Sequence, residues 1–436
     1  MLAGESCSAD LRYAFSDGPK QSSPASHMKK RILFVHHGSS QGGAAISLYL
    51  LARELQQKGL EVTVAGFPVA LDYFAGQGLR TLEFCLPMFK HTTGGGYNLI
   101  QQSGRKQLQE WLDIFPKAMS DLTDLLEKEK PDIVHFNSLT LAPYCRVPRQ
   151  LGIPNVVHVR ECVLDGYLGL RKKWLRRQLI RYADRVISIC RDNLDRLHLP
   201  PGKGIVVYEP VDFQCFNWTL SQSSARIELG IPIDAKVVLM TVSSTAVIKG
   251  FEPFLEAMCY VADEQPDLWC LMPGFIPPEI PHPPLVSIKR RIGKMVGYYR
   301  KREHLYRICH EGLLAGRIIG CSFTREMEKW IAAADVICVA HTKPHFSRTV
   351  MEAGAMKKPV VAFSVGGVAE SVEDGKTGYL VSPGNIHSMS KAVCLLLDDR
   401  DTSMSFGERG YEIAYDRYNS IVSADAIIKI YEHCLG

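Results

Sequence analysis

The stretch from His345 to Val381 places polar side chains and glycines where a phosphorylated ligand could bind. A polar loop, Phe346–Thr349, opens a predicted helix that runs from Thr349 to Met356. The first-turn N–H groups and the dipole of a helix favour a diphosphate at its start. Glu352 lies one turn inside this helix, and Gly366-Gly367 allow the backbone to approach a ligand closely. These residues predict an anion-binding site with a carboxylate beside it.

A second anion-binding feature is the Lys249-Gly250 pair at the start of another predicted helix, which ends near Tyr260. A lysine at a helix start attracts a diphosphate through its own charge and through the adjacent backbone amides. The alternative is an ordinary surface lysine that contacts only solvent.

The first half of the chain carries a Gly-rich turn at Gly42-Gly43, between an apolar strand, Ile32–Val35, and an amphipathic helix, Ala45–Lys58. A further strand at Val62–Ala65 makes this segment a βαβ unit. Open α/β sheets bind ligands at the carboxyl ends of their strands, so the turn is a candidate ligand-binding loop. The alternative is that the two glycines only form a tight turn.

Three other strands of the first half end in polar residues: Asn137-Ser138, Arg160-Glu161 and Cys190-Arg191. Because carboxyl ends of parallel strands meet at one edge of a sheet, we expect these tips to line the same cleft. His135 and His158 fall inside strands and are predicted to be core histidines rather than catalytic ones.

Strands and helices alternate along the whole chain, which is typical of an α/β protein with parallel sheets. A chain of 436 residues is too long for one hydrophobic core and suits two domains of about 150–200 residues each. Predicted strands of the second half are Lys236–Val242, Leu268–Met272, Arg317–Ile319, Val336–Val339 and Val360–Phe363.

The composition is that of an ordinary globular protein, with 46% hydrophobic and 22% charged residues. No apolar run reaches the roughly 18 residues needed to span a bilayer, which argues against an integral membrane protein. The 13 cysteines are odd in number and form no CxxC pair, so we expect free thiols in a reducing cytoplasm.

Two basic tracts carry much of the positive charge: the first, Arg171–Arg181, reads as a helix with an apolar stripe, and the second covers Lys289–Arg302. Such tracts suit an anionic membrane surface or a lipid-diphosphate acceptor. The alternative is that the stripe packs on the sheet while the charges are solvated. Neither tract belongs to a recognisable nucleic-acid module, so no nucleic-acid partner is expected.

The motifs follow one another in an order that resembles the family-4 retaining glycosyltransferases, and the resemblance covers nearly everything from Lys29 to the end. It implies the GT-B fold, in which two Rossmann-like domains face each other across a cleft. It also implies transfer of a sugar from a nucleotide-sugar without a metal or another cofactor. The motifs are GGA at Gly42–Ala44, D-I-V-H at Asp132–His135, A-D-R-V-I at Ala183–Ile187, V-D at Val211-Asp212, K-G at Lys249-Gly250, A-A-A-D-V at Ala332–Val336 and F-S-x-T-V-x-E-A at Phe346–Ala353.

The resemblance divides the chain into five parts. Residues 1–27 are a disordered or non-native arm, 28–213 an acceptor-binding domain and 214–235 a linker. Residues 236–404 form the nucleotide-sugar-binding domain, and 405–436 are helices that cross back to the first domain.

The residues that match the family's motifs acquire roles by resemblance. Lys249 would neutralise the leaving diphosphate, Glu352 would hold the donor ribose, and Glu161 would orient the sugar or the acceptor. The implied donor-binding set is Gly42, Gly43, Ser244, Lys249, Phe346, Ser347, Arg348, Thr349, Val350 and Glu352; the implied catalytic set is Lys249, Glu161 and Arg160.

Three positions depart from the family's pattern. Pro344 stands where the first of two glutamates is usual, Ser244 where an arginine is usual, and Arg160 where a histidine contacts the transferred sugar. Arg348 is a candidate for the cation that Ser244 does not supply.

The implied reaction uses a UDP- or GDP-sugar and a glycan, lipid-linked or small-molecule acceptor, in the cytoplasm or at the inner membrane face. The departures leave a non-catalytic nucleotide-binding or scaffold protein as an alternative. A nucleotide-sugar epimerase or a phosphorylase with the same two-domain plan is a third.

Overall fold

The structure is a computed structural model that describes residues 29–38, 42–92, 95–96, 100–163, 165, 169–242, 247–278 and 303–436. The predicted amino-terminal arm, Ser244 and the second basic tract lie outside these residues.

The first domain is built on a seven-stranded sheet in the order β3-β2-β1-β6-β7-β8-β9, with every neighbouring pair parallel. A two-residue hairpin, β4–β5, stands apart from it. The strands of the first domain, those of the hairpin included, are β1 (Arg31–Val35), β2 (Glu61–Gly66), β3 (Arg80–Glu83), β4 (His91–Thr92), β5 (Gly95–Gly96), β6 (Ile133–Phe136), β7 (Asn155–Val159), β8 (Arg185–Ser188) and β9 (Gly204–Val206). The helices are α1 (Gly43–Gln57), α2 (Pro68–Gly76), α3 (Gln102–Glu129), α4 (Arg146–Gln150), α5 (Leu170–Tyr182) and α6 (Arg191–Leu197), with a 3-10 helix at Leu139–Cys145.

The second domain has a six-stranded parallel sheet in the order β12-β11-β10-β13-β14-β15. Its strands are β10 (Lys236–Leu239), β11 (Leu268–Pro273), β12 (Ile318–Cys321), β13 (Val336–Val339), β14 (Val360–Phe363) and β15 (Gly378–Val381). The helices that follow the hinge are α7 (Gln222–Glu228), α8 (Phe251–Glu264), α9 (303–310), α10 (Met327–Ala333), α11 (Arg348–Ala355), α12 (Val368–Ser371), α13 (Ile386–Asp398), α14 (Arg400–Tyr418) and α15 (Ser420–Leu435), with a 3-10 turn at Val247–Lys249.

Both sheets are covered on both faces, and their central strands are accordingly buried and mostly apolar. Every residue of β6, β7, β13 and β14 is buried, and separate apolar clusters lie on the two faces of each sheet. The predicted α/β fold with two Rossmann-like domains is confirmed.

The chain passes from the first domain to the second after β9 and returns at Asn419. The segment predicted as a polar linker contains α7, whose Arg226 side chain pairs with Asp335 at 2.8 Å, so this helix belongs to the second domain. Helix α14 packs on α11, whereas α15 packs on α1 of the first domain. A bridge between Val211 and Asn419 joins the two crossings into one hinge.

The first basic tract forms α5, and its apolar stripe faces inward. Leu175 and Leu179 are buried in the first-domain core, and the Trp174 ring lies 4.7 Å from that of Phe89. The stripe therefore packs on the domain, as the alternative interpretation held, while Lys173 remains exposed. Within the described residues, no helix has the length and apolarity that crossing a membrane requires.

Candidate active site

Lys249 ends a 3-10 turn that a single glycine locks against the neighbouring strand. Gly250 has a φ of +73° and caps α8. A Cβ at this position would lie 1.7 Å from the Ala340 carbonyl oxygen, just past the end of β13. Only glycine fits this close approach and this backbone conformation. The K-G motif therefore holds Lys249 at the carboxyl edge of the second sheet.

Two histidines lie near the Lys249 ammonium group. Its Nζ lies 3.1 Å from His345 Nε2, and the His345 ring centroid is 4.9 Å from that of His341. A backbone hydrogen bond of 3.0 Å from Thr342 N to Ile248 O ties their loop to the 3-10 turn. Lys249, His341 and His345, here called the Lys-His cluster, thus join the K-G motif to the loop that leads into α11.

The Lys-His cluster carries a positive charge that no described carboxylate neutralises. Burial lowers the pKa of Lys249 to about 8. Burial, and secondly Lys249, lower the pKa of His345 to about 3, and His341 also stays neutral for these reasons. None of the carboxylates in the described residues forms an ion pair with Lys249, and 243–246 contain no ionisable side chain. A largely buried ammonium that has no carboxylate partner in the described part of the chain is a candidate site for an anion.

Helix α11 begins beside the Lys-His cluster. Ser347 is its buried N-cap residue, and the Thr349 hydroxyl lies 2.7 Å from that of Thr241 beyond β10. Phe346 is buried, and its ring stacks on Tyr208 of the hinge with centroids 6.1 Å apart. Val350 is buried in an apolar cluster that extends from the second domain to the hinge, and its donor-binding role stays a prediction. The helix start is thereby fixed at the sheet edge next to Lys249.

Glu352 is buried one turn into α11, where it pairs with Arg348 Nε at 3.3 Å. Burial raises the pKa of the Glu352 carboxyl, and Arg348 counteracts this shift. The Arg348 Nη1 atom donates to Ser47 Oγ of α1 at 2.5 Å and to the Pro210 carbonyl oxygen at 3.3 Å. Arg348 therefore reaches across to the first domain and the hinge. Its role as a cation for the diphosphate stays a prediction.

The predicted sugar contact, Arg160, lies in a buried ion pair at the end of β7. Its Nη1 donates to Glu209 Oε1 of the hinge at 2.7 Å, and its Nε donates to Asn137 Oδ1 at 2.6 Å. The side chain is 2% exposed, and Nη2 has no hydrogen-bond partner in the described part of the chain. In this structure Arg160 connects the first domain to the hinge, and its contact with a sugar stays a prediction.

Glu161 is held at the neighbouring strand tip. Its carboxylate accepts hydrogen bonds from Ser138 Oγ and from the Leu139 amide, the latter at 3.0 Å, and His37 Nε2 lies 3.4 Å away. The structure thus brings the tips of β6 and β7 together, as expected, and places the tip of β1 beside them; that the tip of β8 lines the same cleft stays a prediction. Arg160 and Glu161 point to different partners although they are adjacent in the chain.

The Gly42-Gly43 pair opens α1 opposite α11. The Gly42 carbonyl oxygen accepts hydrogen bonds from the amides of Ala45 and Ile46 at 2.9 and 3.1 Å. A Cβ on Gly43 would lie 3.0 Å from Arg348 Cδ, so the second glycine permits a close approach between the domains. Ser244, the remaining predicted donor-binding residue, lies outside the described residues.

Sequence reasoning missed three residues that the structure brings to the site: His341, His345 and Glu209. Nothing local marks His345 as a neighbour of Lys249, because the two are 96 positions apart. For Glu209 a signal existed. Glu209 lies two residues before the V-D motif, at a position where the resembled family often has asparagine. The oppositely charged Arg160 also departs from the family's pattern.

Comparisons with known proteins agree with this architecture. The model "Glycosyl transferase 4-like domain" matches residues 42–207, and "Glycosyl transferases group 1" matches 222–413. The D-inositol 3-phosphate glycosyltransferase of Corynebacterium glutamicum is 28% identical over 401 residues, covering 86% of this chain and 87% of that protein. The alpha-D-kanosaminyltransferase of Streptomyces kanamyceticus is 22% identical over 304 residues, covering 66% of this chain and 72% of that protein.

A solved structure shares the fold. The Anabaena protein HepE, in complex with UDP and glucose, aligns with a TM-score of 0.71 at 17% identity, covering 92% of this chain and 99% of that one. The two family models cover both domains in the expected order, on either side of the hinge. The chain therefore belongs to the group 1 glycosyltransferases, which have the GT-B fold.

Proposed function

We propose that this glycosyltransferase takes a sugar from a UDP- or GDP-sugar bound in the cleft and transfers it to a hydroxyl group with retention of configuration, without a metal or other cofactor. The observation that carries the proposal is the Lys-His cluster. It offers a largely buried cation, which has no carboxylate partner among the described residues, beside the start of α11. A diphosphate can bind both the ammonium group and the helix-start amides.

The chemistry assigned to the cluster is stabilisation of the leaving group. Negative charge develops on the nucleoside diphosphate as the bond to the sugar breaks. A preorganised ammonium and helix-start amides stabilise that charge without having to reorient. Such electrostatic stabilisation of the transition state is the largest contribution to catalysis in many enzymes. The hydrogen bond between Lys249 Nζ and His345 Nε2 keeps the Lys249 ammonium at the sheet edge.

Two carboxylates take binding roles in this proposal. Glu352 Oε1 faces Arg348, so Oε2 is the oxygen for the donor ribose. Glu161 is fixed by Ser138 and the Leu139 amide at the tip of β6, where it orients the sugar or the acceptor. The acceptor we propose is a glycan, a lipid-linked or a small hydroxylated molecule, with the reaction in the cytoplasm or at the inner membrane face.

The rival function is a nucleotide-binding protein without catalysis. One observation favours it: Arg160, which replaces a histidine of the family's pattern, is engaged by Glu209 and Asn137. A catalytic protein needs another group at the sugar, whereas a binding protein does not.

A screen of UDP- and GDP-sugars for release of the nucleoside diphosphate separates these functions. It is run with soluble oligosaccharides and with lipid-linked acceptors in neutral and in anionic vesicles. We expect release that depends on one donor and rises with an acceptor, and a higher rate on anionic vesicles if the exposed charges of α5 contact the membrane. Tight binding of a nucleotide without turnover of any donor would favour the rival.

A further inference from the structure

Four charged residues of alternating sign, three of them buried and Arg348 half-buried, form a continuous chain through the hinge. Arg160 Nη1 lies 2.7 Å from Glu209 Oε1, Glu209 Oε2 lies 3.9 Å from Arg348 Nη1, and Arg348 Nε lies 3.3 Å from Glu352 Oε1. The exposed fractions of the four side chains are 2%, 7%, 16% and 10%. Two positive and two negative charges balance, so none is left uncompensated.

This charge chain connects three parts of the molecule. Arg160 ends β7 of the first domain, Glu209 belongs to the hinge, and Arg348 and Glu352 lie on α11 of the second domain. The same Arg348 nitrogen donates hydrogen bonds to Ser47 Oγ of α1, in the first domain, and to the Pro210 carbonyl oxygen of the hinge. Helix α11 is therefore held from the first domain through one guanidinium group.

We propose that Arg348 is a positioning residue: it orients the Glu352 carboxylate for the donor ribose and ties this carboxylate, through Glu209 and Arg160, to the first domain. Donor binding and the relative position of the domains are then coupled. This inference rests on the proposed nucleotide-sugar function. It replaces the expectation that Arg348 meets the diphosphate.

The charge state of Glu352 gives the inference a signature that a purely structural role lacks. Burial raises the pKa of its carboxyl, Arg348 lowers it, and the nearby carboxylates of Glu209 and Glu328 raise it. Cys215, whose thiol donates to Glu328, is the other titratable neighbour. Without Arg348, the Glu352 pKa rises further. The carboxylate then protonates as the pH falls, and it can no longer accept two ribose hydrogen bonds.

The test is calorimetric titration of UDP and of GDP into the parent protein, Arg348→Met and Arg348→Lys between pH 5.5 and 7.5. For whichever nucleotide binds the parent, we expect Arg348→Met to weaken binding about 10-fold or more at pH 6 and by clearly less at pH 7.5. Arg348→Lys, which keeps the charge, should show the same dependence of affinity on pH as the parent. The matched control is Arg226→Met, which removes a buried arginine paired with Asp335 in the same domain and should leave affinity unchanged.

A double-mutant cycle tests the connection to the hinge. Glu209→Gln should weaken nucleotide binding through the lost ion pair with Arg348, and its effect should shrink in the Arg348→Met background. If the parent binds neither nucleotide, the proposed function itself is wrong. If the parent binds but Arg348→Met has the parent's affinity, or the same loss at every pH, the positioning role is wrong.

Discussion

Replacing Lys249 with alanine is expected to slow turnover roughly 100-fold or more, the usual cost of removing a main charge contact in the transition state. The thermal stability of the ligand-free protein should stay nearly unchanged, because the buried ammonium forms no ion pair within the described part of the chain and its loss removes a desolvation cost. Steady-state kinetics with the donor found in the screen and thermal melts of both proteins measure the two effects.

A second buried lysine provides the matched control. Burial also lowers the pKa of Lys358 to about 8, but its Nζ donates to the carbonyl oxygens of Ala332 and Ala334 at 3.0 and 2.7 Å. Lys358→Met should lower the melting temperature and leave turnover within about threefold of the parent. Equal turnover by Lys249→Ala and the parent would show that another group meets the diphosphate.

The Glu352→Gln protein should bind the nucleotide about 1–3 kcal/mol more weakly than the parent, which is the cost of a lost charge-assisted hydrogen bond. The amide keeps the size of the side chain, so the fold should remain intact. Calorimetry with UDP or GDP measures the loss.

Glu54→Gln is the control for Glu352→Gln. Glu54 is also a buried carboxylate, and it accepts a hydrogen bond from Ser420 at 2.9 Å between α1 and α15. Its replacement should leave nucleotide affinity unchanged. Unchanged affinity in Glu352→Gln as well would remove Glu352 from the donor site.

The sequence predicted the buried strands better than the edge strands, for a physical reason. Strands such as β6 and β14 are buried on both faces and show continuous apolar runs, which are visible without the structure. The edge strand β12 was predicted, as Arg317–Ile319, but the edge strands β3, β9 and β15 were not. These three are short and partly exposed, so their residues carry no such run.

The site was predictable where its residues follow one another in the chain. The K-G pair and the F-S-x-T-V-x-E-A helix were found because a helix start and its preceding loop form a local motif. The contacts of Lys249 with His345 and of Arg160 with Glu209 were not predicted. They join residues from different strands and from the hinge, and only the folded topology brings these together.

Proton uptake on nucleotide binding tests most directly whether Lys249 meets the diphosphate. With a pKa of about 8, Lys249 is about half neutral at pH 8 in the free protein, and a bound anion would hold it protonated. Calorimetric titrations of UDP or GDP at pH 8, in two buffers of different ionisation enthalpy, should then show uptake of about half a proton per nucleotide. Affinity should fall as the pH rises above 8.

Two variants show whether the proton is taken up by Lys249. Lys358→Met should keep the proton uptake, and Lys249→Ala should lose it. Tight nucleotide binding by the parent without proton uptake would contradict the account.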